Sequence, residues 1–389
     1  MSEPERLAWI DEELRKLAEA DLDRHLQTHA GPQAATLTIA GRTLVNFGSN
    51  DYLALANDAR LAAAAAVAAQ QEGFGSGSSP LVVGHGAAHE RLEQSLAEFE
   101  GTEAALLFST GYAANVGAVT SLVGRGDVVY SDELNHASIV DGCRLSRAEV
   151  RVYPHGDAAA LAGALGGDSG KFRRRLIVSD GLFSMDGDVA PLADLAALAD
   201  RHDAMLAVDE AHATGVFGAQ GRGTCEAAGI EERVDIRIGT LSKALGSIGG
   251  FVVGRRSLVE WLVNRARPYI FSTALPAATA AASAAALEIV GSEPQRRNDL
   301  LRRAAELRAA LAAQGWDTAG STSQIVPLVV GEAGRAMQLA AALRDRGFLV
   351  PPIRPPSVPA GACRLRLSLS YGHSPAAIDD LLRTLKDLR

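Results

Sequence analysis

The chain has 389 residues, 47% hydrophobic and 22% charged, with a net charge of -8. That length allows a large core plus a smaller lobe, and the acidic balance argues against a nucleic-acid surface. No apolar run reaches the ~20 residues that span a bilayer, and the polar start Met1-Ser2-Glu3-Pro4 has no secretory segment behind it. Cys143, Cys225 and Cys363 are too few and too scattered for a disulfide framework or a zinc site, so a cytoplasmic protein without a metal is expected.

In chain order, residues 4–29 read as an amphipathic helix, with Leu7, Ile10, Leu14, Leu17 and Leu22 near helical spacing. An extended stretch, Thr36–Ile39, and a turn at Ala40-Gly41 follow. From Val45 the pattern alternates between strands and helices. Strands are expected at Ala104–Phe108, 127–131, 150–153, 175–179, Met205–Asp209, Ile236–Thr240 and Gly250–Gly254. Among the helices, 88–99 has the clearest face, made by His89, Leu92, Leu96 and Phe99. Alternation implies right-handed crossovers and a mainly parallel sheet. The gap from Thr240 to Gly250 is too short for a crossover helix, so the last strand should run antiparallel.

An Ala-rich helix is expected at 276–290 and another at 296–314. Strands at 325–330 and 364–369 and helices at 335–346 and 375–388 make a second, smaller α+β domain. The expected division is an N-terminal helix and short β segment (1–45), a large α/β domain (46–285) and a small α+β domain (286–389). No internal repeat is visible.

Two strand ends carry the chemistry. The run Met205–Asp209 delivers Asp209 and then Glu210-Ala211-His212; the run Ile236–Thr240 delivers Thr240 and then Leu241-Ser242-Lys243. Ligands of open α/β sheets sit outside the carboxyl ends of strands, so Asp209, His212 and Lys243 should converge. An Asp and a Lys so placed suit pyridoxal 5'-phosphate: the Lys forms a Schiff base and the Asp keeps the pyridine nitrogen protonated. Burial and a nearby cationic centre should lower the pKa of Lys243 from ~10.4 toward the neutral amine this chemistry needs. Asp-Glu-Ala-His also occurs in helicase ATPases. That reading requires a phosphate loop, yet Phe172 follows Gly170-Lys171 and Leu165 occupies the first Gly position.

Other segments add weaker signals. Ser109-Thr110-Gly111-Tyr112-Ala113-Ala114-Asn115 follows a strand and opens a helix, a setting for a phosphate at a helix N-terminus. His136 follows another strand; it reads either as a surface or core histidine or as a ring that covers an aromatic cofactor. Asp180 to Asp188 is either a turn-rich loop or the segment that sets Ser184 against the cofactor's ring oxygen.

In this order, these pieces resemble the fold-type-I pyridoxal-phosphate enzymes, and more narrowly the α-oxoamine synthases. The resemblance runs from about Leu14 to Leu385. Its marks are Asn46-Phe47-Gly48-Ser49-Asn50-Asp51-Tyr52-Leu53, Phe183 to Asp188, Asp209 to Gly215 and Lys243 to Gly250. The tail Ile353 to Gly361 narrows it to members that condense L-alanine with a pimeloyl thioester, carried by coenzyme A or a carrier protein. Members that use glycine, the 2-amino-3-ketobutyrate ligase and 5-aminolevulinate synthase types, are the alternative.

The resemblance implies that Lys243 holds the cofactor, Asp209 its pyridine nitrogen and His212 its ring oxygen, with His136 stacked on the ring. It implies further cofactor contacts from Gly111, Tyr112, Ser184 and Thr240, and from Ser272 and Thr273 toward a partner subunit's phosphate in a homodimer with shared sites. Arg24, Asn50, His136, Ser357 and Arg366 match substrate-binding positions, Arg366 taking the amino-acid carboxylate. Ser357 stands where Thr is usual and keeps the hydroxyl. Pro80 stands where several relatives carry Arg.

Overall fold

A computed structural model describes residues 6–389 and resolves two compact units. The larger unit is built from 50–184 and 188–302; the smaller combines residues up to 49 with 185–187 and 303–389.

The larger unit is organised on a seven-stranded sheet in the order Ala104–Phe108, Gly250–Gly254, Ile236–Thr240, Met205–Asp209, Arg175–Asp180, Val128–Asp132 and Glu149–Tyr153. The five strands from Ile236–Thr240 to Glu149–Tyr153 are mutually parallel. Gly250–Gly254 runs antiparallel to both its neighbours, as the short connection from Thr240 requires. These are the seven strands expected from sequence, with ends differing by a residue.

Alternate side chains of each strand enter opposite layers. Val129, Val178, Ala207 and Ile238 pack with Ala114, Ala118 and Val119 of the helix Gly111–Leu122. Val128, Ile177, Leu206 and Val208 pack on the other face with Leu161, Leu165, Leu195 and Leu198. A sheet covered on both faces reads as continuous apolar runs, which is why these strands were legible. Emptying one such position, Ile238→Ala for example, should cost about 2–5 kcal/mol.

The smaller unit holds two sheets. One has the order His29–Ala30, Thr36–Ile39, Arg42–Asn46 and Phe348–Leu349; the other Ile325–Gly331, Cys363–Ser368 and Pro352–Ile353. Helices Ala333–Asp345 and Pro375–Asp387 complete it. The N-terminal helix is shorter than the periodicity predicted: it spans Ala8–Glu19, and Asp21 at φ 54° turns the chain out of it. His29 and Ala30 pair with Ile39 and Thr38 as strand rather than helix. None of the residues in Ala8–Glu19 is buried, so the apolar spacing does not mark core. Residues 4 and 5 of that expectation lie outside the described residues.

Candidate active site

Thr240 ends its strand buried, and its Oγ1 donates to the Gly249 carbonyl at 2.8 Å. The same oxygen accepts the Ser242 N–H at 3.2 Å, fixing the turn that carries Lys243. Lys243 is half-buried. The glycines behind it are needed for space: a Cβ on Gly250 would overlap the Thr110 carbonyl, and one on Gly246, at φ +62°, the Ala56 amide. Gly111 sits under Thr240, where an added Cβ would lie 3.3 Å from the Thr240 side chain.

Asp209 is buried at the end of the adjacent strand. Its Oδ1 accepts the Ala211 N–H at 2.8 Å and its Oδ2 accepts Asn115 Nδ2 at 2.6 Å. Asn115 Nδ2 also reaches Ser138 Oγ at 3.0 Å, and that hydroxyl lies 2.7 Å from His136 Nδ1. A hydrogen-bonded line therefore runs Asp209–Asn115–Ser138–His136. The His136 ring keeps an exposed edge, yet enough protein surrounds it that desolvation lowers its pKa. Asp209 opposes that shift and the charge of Lys243 adds to it, so the imidazole senses both groups.

The His136 backbone is held as well. Its N–H donates to Asp180 Oδ2 at 2.6 Å, while the Asp180 N–H donates to Asn135 Oδ1 at 2.8 Å. Burial raises the Asp180 carboxyl well above the usual range, and Asp209, its neighbour in register, pushes the same way. His212 is buried with its Nδ1 2.7 Å from the Tyr52 hydroxyl, and Tyr52 donates to Asn50 Oδ1 at 3.2 Å. Asn115, Ser138, Asp180 and Tyr52 were missed as individual site residues, although Asn115, Asp180 and Tyr52 lie inside segments the sequence singled out or the resemblance marked, and Ser138 is two residues from His136.

The helix Gly111–Leu122 begins beside Thr240, with Thr110 Oγ1 accepting the Ala113 N–H at 3.0 Å. The first N–H groups of a helix have no intrahelical partner and suit an anion. Tyr112 is half exposed and donates its hydroxyl to Asp141 at 2.5 Å. Ser184 follows Phe183 as a half-buried loop residue. Ser272 and Thr273 line a cavity of about 20 Å³ with Ser109, Phe108 and His85.

The remaining positions belong to the smaller unit. Arg366 is buried, with Nη1 donating to Ser368 Oγ at 2.8 Å. Arg364 is also buried, ion-paired to Asp186. The strand Cys363–Ser368 is buried throughout, so neither arginine is an exposed surface charge. Arg24 is exposed and donates to the Pro355 carbonyl at 3.1 Å; Ser357 is exposed in the same tail.

The donor set fits pyridoxal phosphate. Asp209 is buried between neutral donors and forms no ion pair with a described residue, so it suits a ligand that brings its own positive charge, as a protonated pyridine does. Lys243 follows the strand that ends at Thr240, and the helix N-terminus at Gly111 packs against Thr240, for the aldehyde and the phosphate. Among the described residues no cluster of His, Cys, Asp or Glu is arranged to hold a metal ion, and no helix is long and apolar enough to cross a membrane.

The model of the aminotransferase class I and II family matches residues 42–385. The 8-amino-7-oxononanoate synthase of Anaeromyxobacter dehalogenans (strain 2CP-1 / ATCC BAA-258) is 53% identical over 97% of this chain and 95% of its own. That of Geobacter sulfurreducens is 51% identical over 94% of each chain. Serine palmitoyltransferase of S. paucimobilis, with a bound PLP–myriocin aldimine, matches with a TM-score of 0.92 at 34% identity, over 97% of this chain and 96% of that one. The 8-amino-7-oxononanoate synthase of Francisella tularensis matches with a TM-score of 0.77 at 27% identity, over 89% and 97%. The chain belongs to the class I and II aminotransferase family and, within it, to the 8-amino-7-oxononanoate synthases, pyridoxal-phosphate-dependent acyltransferases.

Proposed function

We propose that this chain condenses L-alanine with a pimeloyl thioester, releasing carbon dioxide and the free thiol and forming 8-amino-7-oxononanoate for biotin biosynthesis. The observation that carries the reading at the site is the hydrogen-bonded line from Asp209 through Asn115 and Ser138 to His136, one strand over from Lys243. When bound, pyridoxal phosphate supplies a ring that accepts the electron pair of the amino acid's α-carbon.

The chain's own groups divide the remaining work. Lys243 Nζ holds the cofactor and then moves the α-proton of alanine. Asp209 keeps the pyridine nitrogen protonated, and Asn115 orients that carboxylate. His136 covers one ring face. His212 and Ser184 face the ring oxygen. Gly111 and Tyr112 begin the helix whose N–H groups take the phosphate, with Thr240 packed beneath. Arg366 grips the alanine carboxylate, and Arg24, Asn50 and Ser357 contact substrate.

We infer a homodimer in which Ser272 and Thr273 reach the partner's phosphate. Exposed apolar side chains of the larger unit support it: Phe74, Val82, Val83 and Phe271 are each more than two-thirds exposed in the single chain. A cytoplasmic setting is supported by three free cysteines, all buried.

Product analysis tests the reaction. L-alanine with pimeloyl-coenzyme A should give 8-amino-7-oxononanoate. Turnover with glycine and an acetyl or succinyl thioester alone would transfer the chain to the glycine-using branch. Borohydride reduction and peptide mapping should find the pyridoxyl group on Lys243; a label on Lys171 or Lys386 overturns the assignment.

A further inference from the structure

His155 stands between two carboxylates of the larger unit. Its Nδ1 lies 3.0 Å from Asp132 Oδ1 and its Nε2 2.8 Å from Asp188 Oδ2. A ring whose two nitrogens both face carboxylate oxygens must donate from both, so it is an imidazolium. Its hydrogen bonds to Asp132 and Asp188 hold its pKa up to about 10, against the opposing effect of burial. Phe183 packs against the ring edge at a centroid distance of 4.4 Å.

Each carboxylate anchors a different loop. Asp132 ends its strand and accepts the Leu134 N–H at 2.9 Å, fixing the turn that leads to His136. Its other oxygen accepts the Gly156 N–H at 2.9 Å. Glu133 accepts the His155 N–H at 2.9 Å, so the histidine's own backbone is tied to the same turn. Asp188 closes the loop that carries Ser184: its carbonyl accepts the Phe183 N–H at 3.0 Å, and Leu182 bridges to Val189. The Asp188 side chain takes its one hydrogen bond from His155; its Oδ1 is buried without a partner among the described residues.

We propose that His155 is a positioning residue, a cationic clamp that sets the spacing between the loop carrying His136 and the loop carrying Ser184, and through them the fit of the cofactor ring. It rests on the reading that those two residues face the cofactor. The loops also meet where the His136 N–H donates to Asp180 Oδ2, but His155 is the cation between Asp132 and Asp188, so its loss leaves those two carboxylates facing each other across the gap.

The test uses the holoenzyme and two variants. In His155→Gln, pyridoxal-phosphate affinity should fall roughly ten-fold or more and the bound cofactor's visible band should shift, as expected when a supporting contact behind a ligand residue is lost. Asp188→Asn removes the other end and leaves the Asp132 contact, so it serves if His155→Gln does not fold. The losses of the two variants should be non-additive when combined, because both cut one link. A merely structural histidine would lower Tm while leaving the affinity and band of the folded fraction unchanged. Affinity and band within two-fold of the parent in either folded variant, or additive losses, overturn the clamp. Borohydride mapping of the parent separates the two readings. A label on Lys243 with an indifferent His155→Gln sinks the clamp alone; no label on Lys243 sinks both.

Discussion

Asn115 Nδ2 donates to Asp209 Oδ2 across 2.6 Å, joining the helix Gly111–Leu122 to the end of the central strand Met205–Asp209. The donor is an amide, so the carboxylate is oriented without being neutralised. Asp209→Asn should therefore cripple turnover more than cofactor binding, since a neutral amide cannot hold the pyridine nitrogen protonated. Turnover within a few-fold of the parent, at saturating cofactor and alanine, would remove Asp209 from that role.

Truncating the other partner gives a graded outcome. Asn115→Ala leaves Asp209 held by the Ala211 N–H alone of the two donors, and also takes a donor from Ser138. Losing a hydrogen bond to a charged group costs about 1.5–3 kcal/mol, so kcat/KM for alanine should fall roughly ten-fold or more. Steady-state kinetics at saturating pyridoxal phosphate checks this, and an unchanged kcat/KM counts against the orienting role.

How much of this was legible follows from where each partner lies in sequence. The seven strands were visible because a sheet buried on both faces writes itself as apolar runs bounded by polar turns. Asp209 and Lys243 were visible because each closes such a run. Asn115 was not, because its partner is 94 residues away and only the packing of a helix on the sheet joins them. The same holds for His155, whose carboxylates are 23 and 33 residues away in opposite directions. The N-terminal helix was overread: its apolar spacing is real, yet the chain leaves the helix at Asp21 and no residue of Ala8–Glu19 is buried.

The larger unit also buries an ion pair. Arg237 Nη1 lies 3.0 Å from Glu100 Oε2, with both side chains under 5% exposed. Burial pushes the Glu100 carboxyl up to about 8 despite Arg237. Arg237→Met should cost about 1–3 kcal/mol, because it removes the donor to the buried Glu100 carbonyl and to Glu231. Glu100→Gln should cost clearly less: a neutral amide mimics the protonated acid, and Arg237 keeps Glu231 at 3.0 Å. Urea denaturation at neutral pH ranks the two, and equal losses refute the ordering.

His373 predicts an acid-sensitive stability. Its ring stacks on Phe47 at 4.2 Å, accepts the Ser370 N–H at 3.0 Å and donates to the Asn46 carbonyl at 3.0 Å. Burial lowers its pKa to about 4. In the unfolded chain the ring protonates near ~6.5. Between those values the unfolded state binds the extra proton, so this residue's contribution falls as pH drops through that window and levels off below it. Subtracting the stability curve of His373→Phe isolates the slope from carboxylates that titrate in the same range. A difference that stays flat from pH 7 to pH 4 contradicts the buried neutral ring.

In the proposed reaction the alanine carboxylate is assigned to Arg366. It is buried on a strand whose every residue is buried, and its Nη1 reaches Ser368 Oγ at 2.8 Å. Arg364, two residues away on the same face, is ion-paired to Asp186, and the resemblance assigns the substrate carboxylate to Arg366. A guanidinium grips a carboxylate with two parallel hydrogen bonds; an ammonium keeps the charge and loses the fork. Arg366→Lys should therefore weaken alanine binding by about 1.5–3 kcal/mol, or roughly ten-fold or more. Arg366→Ala should weaken it further. Titrating the cofactor's visible spectrum with L-alanine reads the dissociation constant directly. An unchanged constant in both variants would move the carboxylate site elsewhere, with Arg24 the next residue to substitute.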